Sequence, residues 1–471
     1  MSKFKSSNRD QGFLLPPSVE DFIPQDHLAR LINEIVEQFN TDAIEATYSN
    51  LGQKSYHPKL LLKLLIYGYS IGIRSGRKIA ALCQSDTAFM FLACMYQPDF
   101  RTINDFRKNN VNEVSNYFLS VLQLCKQLGL AQVGTLYIDS TKIKANASPA
   151  LTKSKATYEQ WLAQIKTQIS EVLKQAEETD AKEDKQYGDK RGDELPEELQ
   201  DKQKLAQKIE ELIKNLAQPD DKINFTDPEA KNIRNAGRII PSYNCQTTAN
   251  DSGIILCAYA TTAASDKTEL GTAIEQTQIN MEEQINTIAA DSGYSSYDNY
   301  QMLDENKITA YMPDQEYAIK SRHNTDSYDK SHFIYHQQED YYSCPQGKKL
   351  TYRGIYVNKR YKQKAKLYEG ISCTTCKVKA QCTKGTVRQL NQELRESLRH
   401  RARELLQTAA GRINYSKRMS TIEPIFGNLK QNLNFRSFQL RGKIKVDAEF
   451  KLQCLCHNIK KIFQVRKIQF A

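Results

Sequence analysis

Hydrophobic positions change their spacing three times along this chain. Up to about residue 130 they recur at helical intervals. Lys59-Leu-Leu-Leu-Lys-Leu-Leu-Ile-Tyr-Gly-Tyr69 predicts a largely buried helix, and His57-Pro58 puts proline at its start, where the missing N–H is harmless. Arg74-Ser-Gly-Arg-Lys-Ile-Ala-Ala-Leu82 leads into a second short helix, and Phe100 to Arg107 reads as a helix entry with Thr102 as a candidate cap. Short helices with basic starts fit either a helix-turn-helix-like DNA reader or a plain helical packing domain. From residue 131 the spacing becomes strand-like. Val133 to Ile138 is a short β-rich run that ends at Asp139.

Residues 151–221 interrupt that run. Leu162, Ile165, Ile169 and Val172 recur at three- and four-residue steps, as do Leu205, Ile209, Leu212 and Leu216. Between them lies a polar stretch, Glu177 to Asp193, with Gly188 and Gly192. This pattern predicts a helical hairpin or coiled coil inserted into the sheet region: a dimerisation or DNA-clamping arm, or a solvated hairpin packed on the core. Strand spacing resumes at Ser242–Thr248 and Gly253–Ala260, with Ala249-Asn-Asp-Ser252 as a hairpin turn. A helix from about Thr268 to Glu283 follows, then a strand from Ile285 to Ala290 ending at Asp291, and another from Ile308 to Met312. Phe333 to Tyr368 is rich in Tyr and predicts short strands. The expected division is 1–130 helical and DNA-binding, 131–320 the first part of an α/β core, 321–390 a β-rich cysteine-bearing insertion, and 391–471 the remainder of the core.

Charge sharpens this outline. The chain has 471 residues and a net charge of +11. Residues 384–471 hold 19 Lys and Arg against 6 Asp and Glu, a balance of 19 − 6 = +13, so the rest is near neutral. A basic segment suits a polyanion, whose counterions it releases, although a solvated helical face would look the same. No run of about 18 apolar residues predicts a transmembrane helix. The start, Met1-Ser-Lys-Phe-Lys-Ser-Ser-Asn8, lacks the apolar core of a signal peptide. A cytoplasmic protein is expected, nucleoid-associated when on DNA. In a reducing compartment the eleven cysteines favour metal over disulfides.

Three acidic residues stand in telling contexts. Asp139 ends Leu136-Tyr-Ile-Asp139, Asp291 ends Ile288-Ala-Ala-Asp291, and Glu423 lies in Tyr415-Ser-Lys-Arg-Met-Ser-Thr-Ile-Glu-Pro-Ile-Phe-Gly-Asn-Leu-Lys430. Two Asp at strand ends and a Glu on a helix can converge on paired Mg²⁺ or Mn²⁺ ions, hard cations that take oxygen ligands. Pro424 fits best if a helix starts near Thr421, with Glu423 in its first turn facing the positive helix end.

These residues resemble those of the DDE transposases of bacterial insertion sequences. The third segment is similar to that superfamily's Tyr-x2-Arg-x3-Glu-x6-Lys signature, with four residues rather than three between Arg418 and Glu423. Tyr137-Ile-Asp-Ser-Thr-Lys-Ile-Lys-Ala-Asn146 and Tyr243-Asn-Cys-Gln-Thr247 extend the resemblance over nearly the whole chain. It implies an RNase H-like mixed sheet in an α/β fold, with Asp139, Asp291 and Glu423 as catalytic metal ligands. The implied activity is transposition: binding terminal inverted repeats in double-stranded DNA, cutting, and joining to target DNA, with at least a homodimer in the active complex. Arg418, Lys430 and Lys142 would then hold DNA phosphates and Tyr415 would pack on a sugar or base; the alternative for each is a surface ion pair or a packing role. The Cys insertion supplies Cys344, Cys373, Cys376 and Cys382, which would close a structural four-thiolate Zn²⁺ site or remain unligated thiols. Cys454 and Cys456, beside His457, read as core residues. Competing readings are a DNA-binding derivative that no longer cuts, a nuclease that cuts without joining, and a zinc-dependent regulator that leaves the acidic triad unexplained.

Overall fold

Nine residues of β1 (Leu136–Lys144) form the centre of a six-stranded mixed sheet. The computed structural model describes residues 18–49, 54–187, 197–235, 237–314, 327–336, 338–357 and 364–470. Met1–Asn8, Gly188 and Gly192 lie outside them, as does the side chain of Val172.

The sheet is built from β1, β4 (Lys231–Asn235), β5 (Arg238–Ala249), β6 (Ile255–Thr261), β7 (Thr287–Ala290) and β8 (Thr309–Tyr311). β5 pairs antiparallel with β1, β4 and β6; β7 runs parallel to both β1 and β8. An antiparallel trio followed by two parallel strands is the order expected of an RNase H-like core. Every residue of β6 is buried, so both its faces are covered. The helices Leu270–Met281 and Lys443–Phe470 pack against it. β6 is also an edge strand, and the C-terminal helix satisfies its free backbone: Asn458 bonds both Ile255 N and Ile255 O at 2.9 Å, and Asp447 accepts from Ala260 N at 2.8 Å.

The expected strand ending at Asp139 is longer in the structure. β1 continues five residues beyond Asp139, because β5 keeps pairing with it as far as Lys144↔Ser242. The predicted cap at Thr102 is also corrected. Asp99 caps the helix Phe100–Asn109, accepting from the N–H groups of Arg101 and Thr102. An ionised side chain one position before the helix receives two orphan N–H groups at once, and Thr102 is already the third helical residue. The helix expected from Thr268 begins at Leu270 and ends at Met281, where Glu282 takes a left-handed φ of 54°.

The N-terminal helices do not have a core of their own. Of the helix Pro58–Ser70 only Lys59 is not buried, and its apolar residues share one continuous core with the sheet and with the C-terminal helix. The inserted hairpin, in contrast, has a small core: Ile165, Ile209, Leu212 and Leu216 pack with Tyr158 where the sequence stripe predicted contact. β2 (Thr152–Ser154) and β3 (Lys222–Asn224) close its base. The Tyr-rich segment forms a separate five-stranded sheet of β9 (Ile334–His336), β10 (Tyr341–Ser343), β11 (Lys349–Val357), β12 (Lys364–Gly370) and β13 (Gln389–Glu393). Among the described residues, no helix is long and apolar enough to cross a membrane.

Candidate active site

Strand pairing brings the first two acids together. Pairing between β1 and β7 stops at Ile138↔Ala290, so Asp139 and Asp291 are the next residues on neighbouring strands, whose spacing is about 5 Å. Asp139 lies where β7 has ended and β5 has not, which leaves one flank of the strand open. Asp291 turns into a short helical turn, Ser292–Tyr294, and its Oδ1 accepts from Gly293 N at 2.8 Å.

The third acid arrives on a kinked helix. Thr408 caps the helix Ala409–Thr421, which packs against β7 and β8. Glu423 then opens a short helix, Glu423–Gly427, with Pro424 as its second residue. Pro424 lacks the N–H that would continue the ladder, so the axis breaks there. Glu423 is therefore in a first turn, as expected, but the helix start near Thr421 is not a free one. Helical residues precede it, and Ile422 N still donates to Arg418 O at 3.1 Å. The Glu423 side chain is exposed.

Asp139 is the electrostatic focus. Burial pushes its carboxyl up to about 6; the Arg418 guanidinium pulls it down, while Asp291 and Glu423 push it up. Asp291 and Glu423 thus both bear on Asp139. Arg418 is 5% exposed, and its NH2 donates to Asp139 Oδ2 at 2.9 Å. Its guanidinium also lies 5.6 Å from the Tyr415 ring centroid. Tyr415 is half-buried, and burial raises its hydroxyl.

Sequence reasoning assigned Arg418, Lys142 and Lys430 to DNA phosphates. The structure places Arg418 inward on Asp139. Lys142 is likewise engaged, with Asp266 Oδ1 at 3.0 Å and Asn244 Oδ1 at 2.8 Å. Lys430 sits in a π-helical turn, Asn428–Asn432, half-buried; burial lowers its ammonium pKa, with Cys245 opposing and Lys142 adding to the effect.

Asp266 was missed. Its Oδ1 also accepts from Asn244 and Gln246 at 2.6 and 2.9 Å, and Gln246 in turn accepts from Tyr294. Burial alone would raise its pKa, but these donors and Lys142 outweigh it and hold the carboxyl below its ordinary value. Its Oδ2 is 3.5 Å from where a Cβ on Gly293 would stand, on the Asp291 turn. The only sequence signal was a Ser-Asp pair before a helix, which any cap would give.

Among the described residues, no group of three or more His, Cys, Asp or Glu side chains is preset to hold a metal ion. The donor chemistry nevertheless fits a hard divalent cation: Asp139 and Asp291 follow the last paired residues of neighbouring strands, Glu423 is exposed on a flanking helix, and Arg418 balances the charge of Asp139. The four insertion cysteines converge as well. Cys344, Cys373, Cys376 and Cys382 line one small pocket, and backbone N–H groups of Lys348 and Arg388 approach Cys344 Sγ and Cys373 Sγ at 3.3 and 3.4 Å. Cys454 and Cys456 are fully buried in the core, away from this pocket.

Asp139 gives a pH prediction. Its folded pKa of about 6 exceeds the ordinary 3.8, so between those values the folded chain holds a proton that the unfolded chain has lost. Stability contributed by this group therefore falls as pH rises from about 4 to about 6, by about 3 kcal/mol. Melting temperature against pH for wild type and Asp139→Asn checks it: the difference between the two curves is expected to change across that window and be flat above it. A constant offset would rule out the raised carboxyl.

The mixed sheet, its flanking helices and the separate β-rich sheet are consistent with a DDE transposase fold. Residues 343–463 match the family model described as a transposase DDE domain, and residues 17–109 match one described as a transposase domain, DUF772. These matches, to two separate parts of the chain, support an insertion-sequence DDE transposase, a family that generally uses a divalent metal and acts on DNA. The first match includes Glu423 and the cysteines; Asp139 and Asp291 lie outside both. No curated protein and no solved structure matches the chain.

Proposed function

We propose that the protein binds the inverted ends of its element as duplex DNA, cuts them with Asp139, Asp291 and Glu423 as metal ligands, and joins the freed 3′-hydroxyl to target DNA. The observation that supports this most is geometric: Asp139 and Asp291 directly follow the last paired residues, Ile138↔Ala290, of neighbouring strands, and Arg418, five residues before Glu423, bonds Asp139. Bound Mg²⁺ or Mn²⁺ would supply Lewis-acid stabilisation of the attacking and leaving oxygens. Asp139 would serve as a ligand in its ionised form, which the Arg418 guanidinium favours. Were Asp139 to hold a cation, the Arg418 guanidinium would be freed, beside Tyr415, to take a phosphate oxygen through two N–H groups. The Lys142–Asp266–Gln246–Tyr294 network holds the sheet rigid beneath the acids. Joining two ends calls for two chains in the active complex.

The test is a labelled terminal-repeat duplex incubated with the full chain and Mg²⁺ or Mn²⁺. Cutting followed by joining to a second duplex supports transposition. Cutting alone indicates a nuclease, and binding alone a DNA-binding derivative.

We also propose that Cys344, Cys373, Cys376 and Cys382 take one structural Zn²⁺. Four thiolates leave no open ligand position, and a five-residue apolar core of Phe333, Tyr342, Leu350, Tyr368 and Leu390 is small for independent stability. Purified protein is expected to carry a single zinc per chain by elemental analysis, and Cys373→Ser to lose it. Four freely titratable thiols in the folded wild type would overturn this.

A further inference from the structure

The cations that sequence reasoning gave to DNA are largely engaged inside the fold, so the duplex needs other contacts. We propose that the β4–β5 ribbon is a duplex-DNA contact surface, with Lys231, Arg234 and Arg238 on phosphates and Ile239 against the groove. This rests on the transposase reading above.

Beyond Ser242 the ribbon leaves the ladder of β1, so Arg238 to Ile240 pair with β4 alone, although Pro241 O still accepts from Ala145 N at 2.9 Å and Asn235 Nδ2 donates back to Lys142 O at 3.3 Å. Asn235 pairs with Arg238 across the turn, where Gly237 takes a φ of 81°, a conformation open to glycine. Residues 230–241 contain three cations and no carboxylate. Lys231, Arg234 and Arg238 are exposed, and no hydrogen bond or ion pair of their side chains is found among the described residues. Ile239 is 68% exposed, opposite Arg234 on the same face. An exposed isoleucine flanked by arginines on a two-stranded ribbon suits a nucleic-acid groove, which admits such a ribbon and offers apolar sugar and methyl surface between its phosphates.

The ribbon's cations continue onto β1. Lys231 pairs with Ser242, and Ser242 with Lys144, so exposed Lys144 and Lys231 form one row across three strands. Lys144 is five positions after Asp139 in β1, about 17 Å along the strand. That is well within one helical turn of duplex, about 34 Å, but five positions is an odd offset, so Lys144 and Asp139 project from opposite faces of β1. A competing role for these charges is edge protection, since β4 is an edge strand and charged edges resist strand addition.

Binding of a fluorescent terminal-repeat duplex by the full chain, measured across salt concentrations, separates the two. Each phosphate contact contributes about 0.9 to the slope of log affinity against log salt. The triple variant Lys231→Gln, Arg234→Gln, Arg238→Gln is expected to lose about 2.7 from that slope and bind roughly a hundredfold more weakly at about 0.15 M salt, with an unchanged melting temperature. Arg238→Gln alone, a single change at an exposed position, is expected to lose about 0.9, which keeps the test open should the triple variant fold poorly. Ile239→Ser should weaken binding without altering the slope. An unchanged slope in the variants, with or without new self-association, overturns the proposal and assigns the charges to edge protection. If the wild type itself shows no salt-dependent duplex binding, the DNA reading underneath fails instead.

Discussion

Glu423→Gln is expected to bind terminal-repeat DNA as the wild type does and to cut and join it at least about 10³-fold more slowly. The side chain is exposed and starts a short helix, so an isosteric amide leaves the fold intact and removes only a charge. That charge matters because hard divalent cations favour carboxylate oxygen over neutral amide oxygen. Loss of one anionic ligand at the developing transition-state charge is worth about 4 kcal/mol, which is roughly three decades in rate. Asp139→Asn and Asp291→Asn should act alike, apart from the pH-dependent stability particular to Asp139. Single-turnover cutting at matched DNA occupancy is the measurement. If Glu423→Gln cuts like the wild type, the third ligand is misassigned, and ionised Asp266, beside the Asp291 turn, is the first residue to examine in its place.

The second large effect is structural. Glu449→Ala is expected to lower unfolding stability by about 3–5 kcal/mol, a large share of the roughly 5–15 kcal/mol that a folded chain has in total. Glu449 is 1% exposed. Its Oε1 receives Tyr69 OH and Arg74 NH1 at 3.2 and 3.3 Å, and its Oε2 receives the N–H groups of Gln439 and Leu440 at 2.9 Å. Arg74 is itself 8% exposed, held also by Ser437 O and Asn434 O and stacked over Phe435. Truncating the acid leaves a buried guanidinium and two backbone donors without their carboxylate. These contacts join the N-terminal helices to the segment that follows Glu423, so the loss should loosen both together. Urea unfolding monitored by circular dichroism checks it, with Glu449→Gln as a milder companion. A cost under about 1 kcal/mol would mean that water replaces the carboxylate, contrary to its burial.

Local chemistry was legible wherever a residue's role depends on its near neighbours. The proline start at Pro58, the β5–β6 hairpin and the stripe of Ile165, Ile209, Leu212 and Leu216 all follow from short-range patterning, and the structure has them. The strand runs before Asp139 and Asp291 also gave the order of the core, because a buried strand is apolar along its length. Asp99 displaced Thr102 as a cap because the helix starts at Phe100, which puts Thr102 inside it.

What the sequence by itself determined is which elements form, their order, and the residues that carry acidic, basic and thiol chemistry. Only the tertiary structure decided who faces whom. It extended β1 past Asp139, because the far strand β5 goes on pairing where β7 stops. It turned Arg418 onto Asp139, 279 positions away, and Lys142 onto Asp266, 124 positions away. It left Lys231, Arg234 and Arg238 exposed on the β4–β5 ribbon. The physical reason is that a lysine or arginine has the same charge whether it meets a carboxylate or water, and long-range packing alone determines which of the two is within reach.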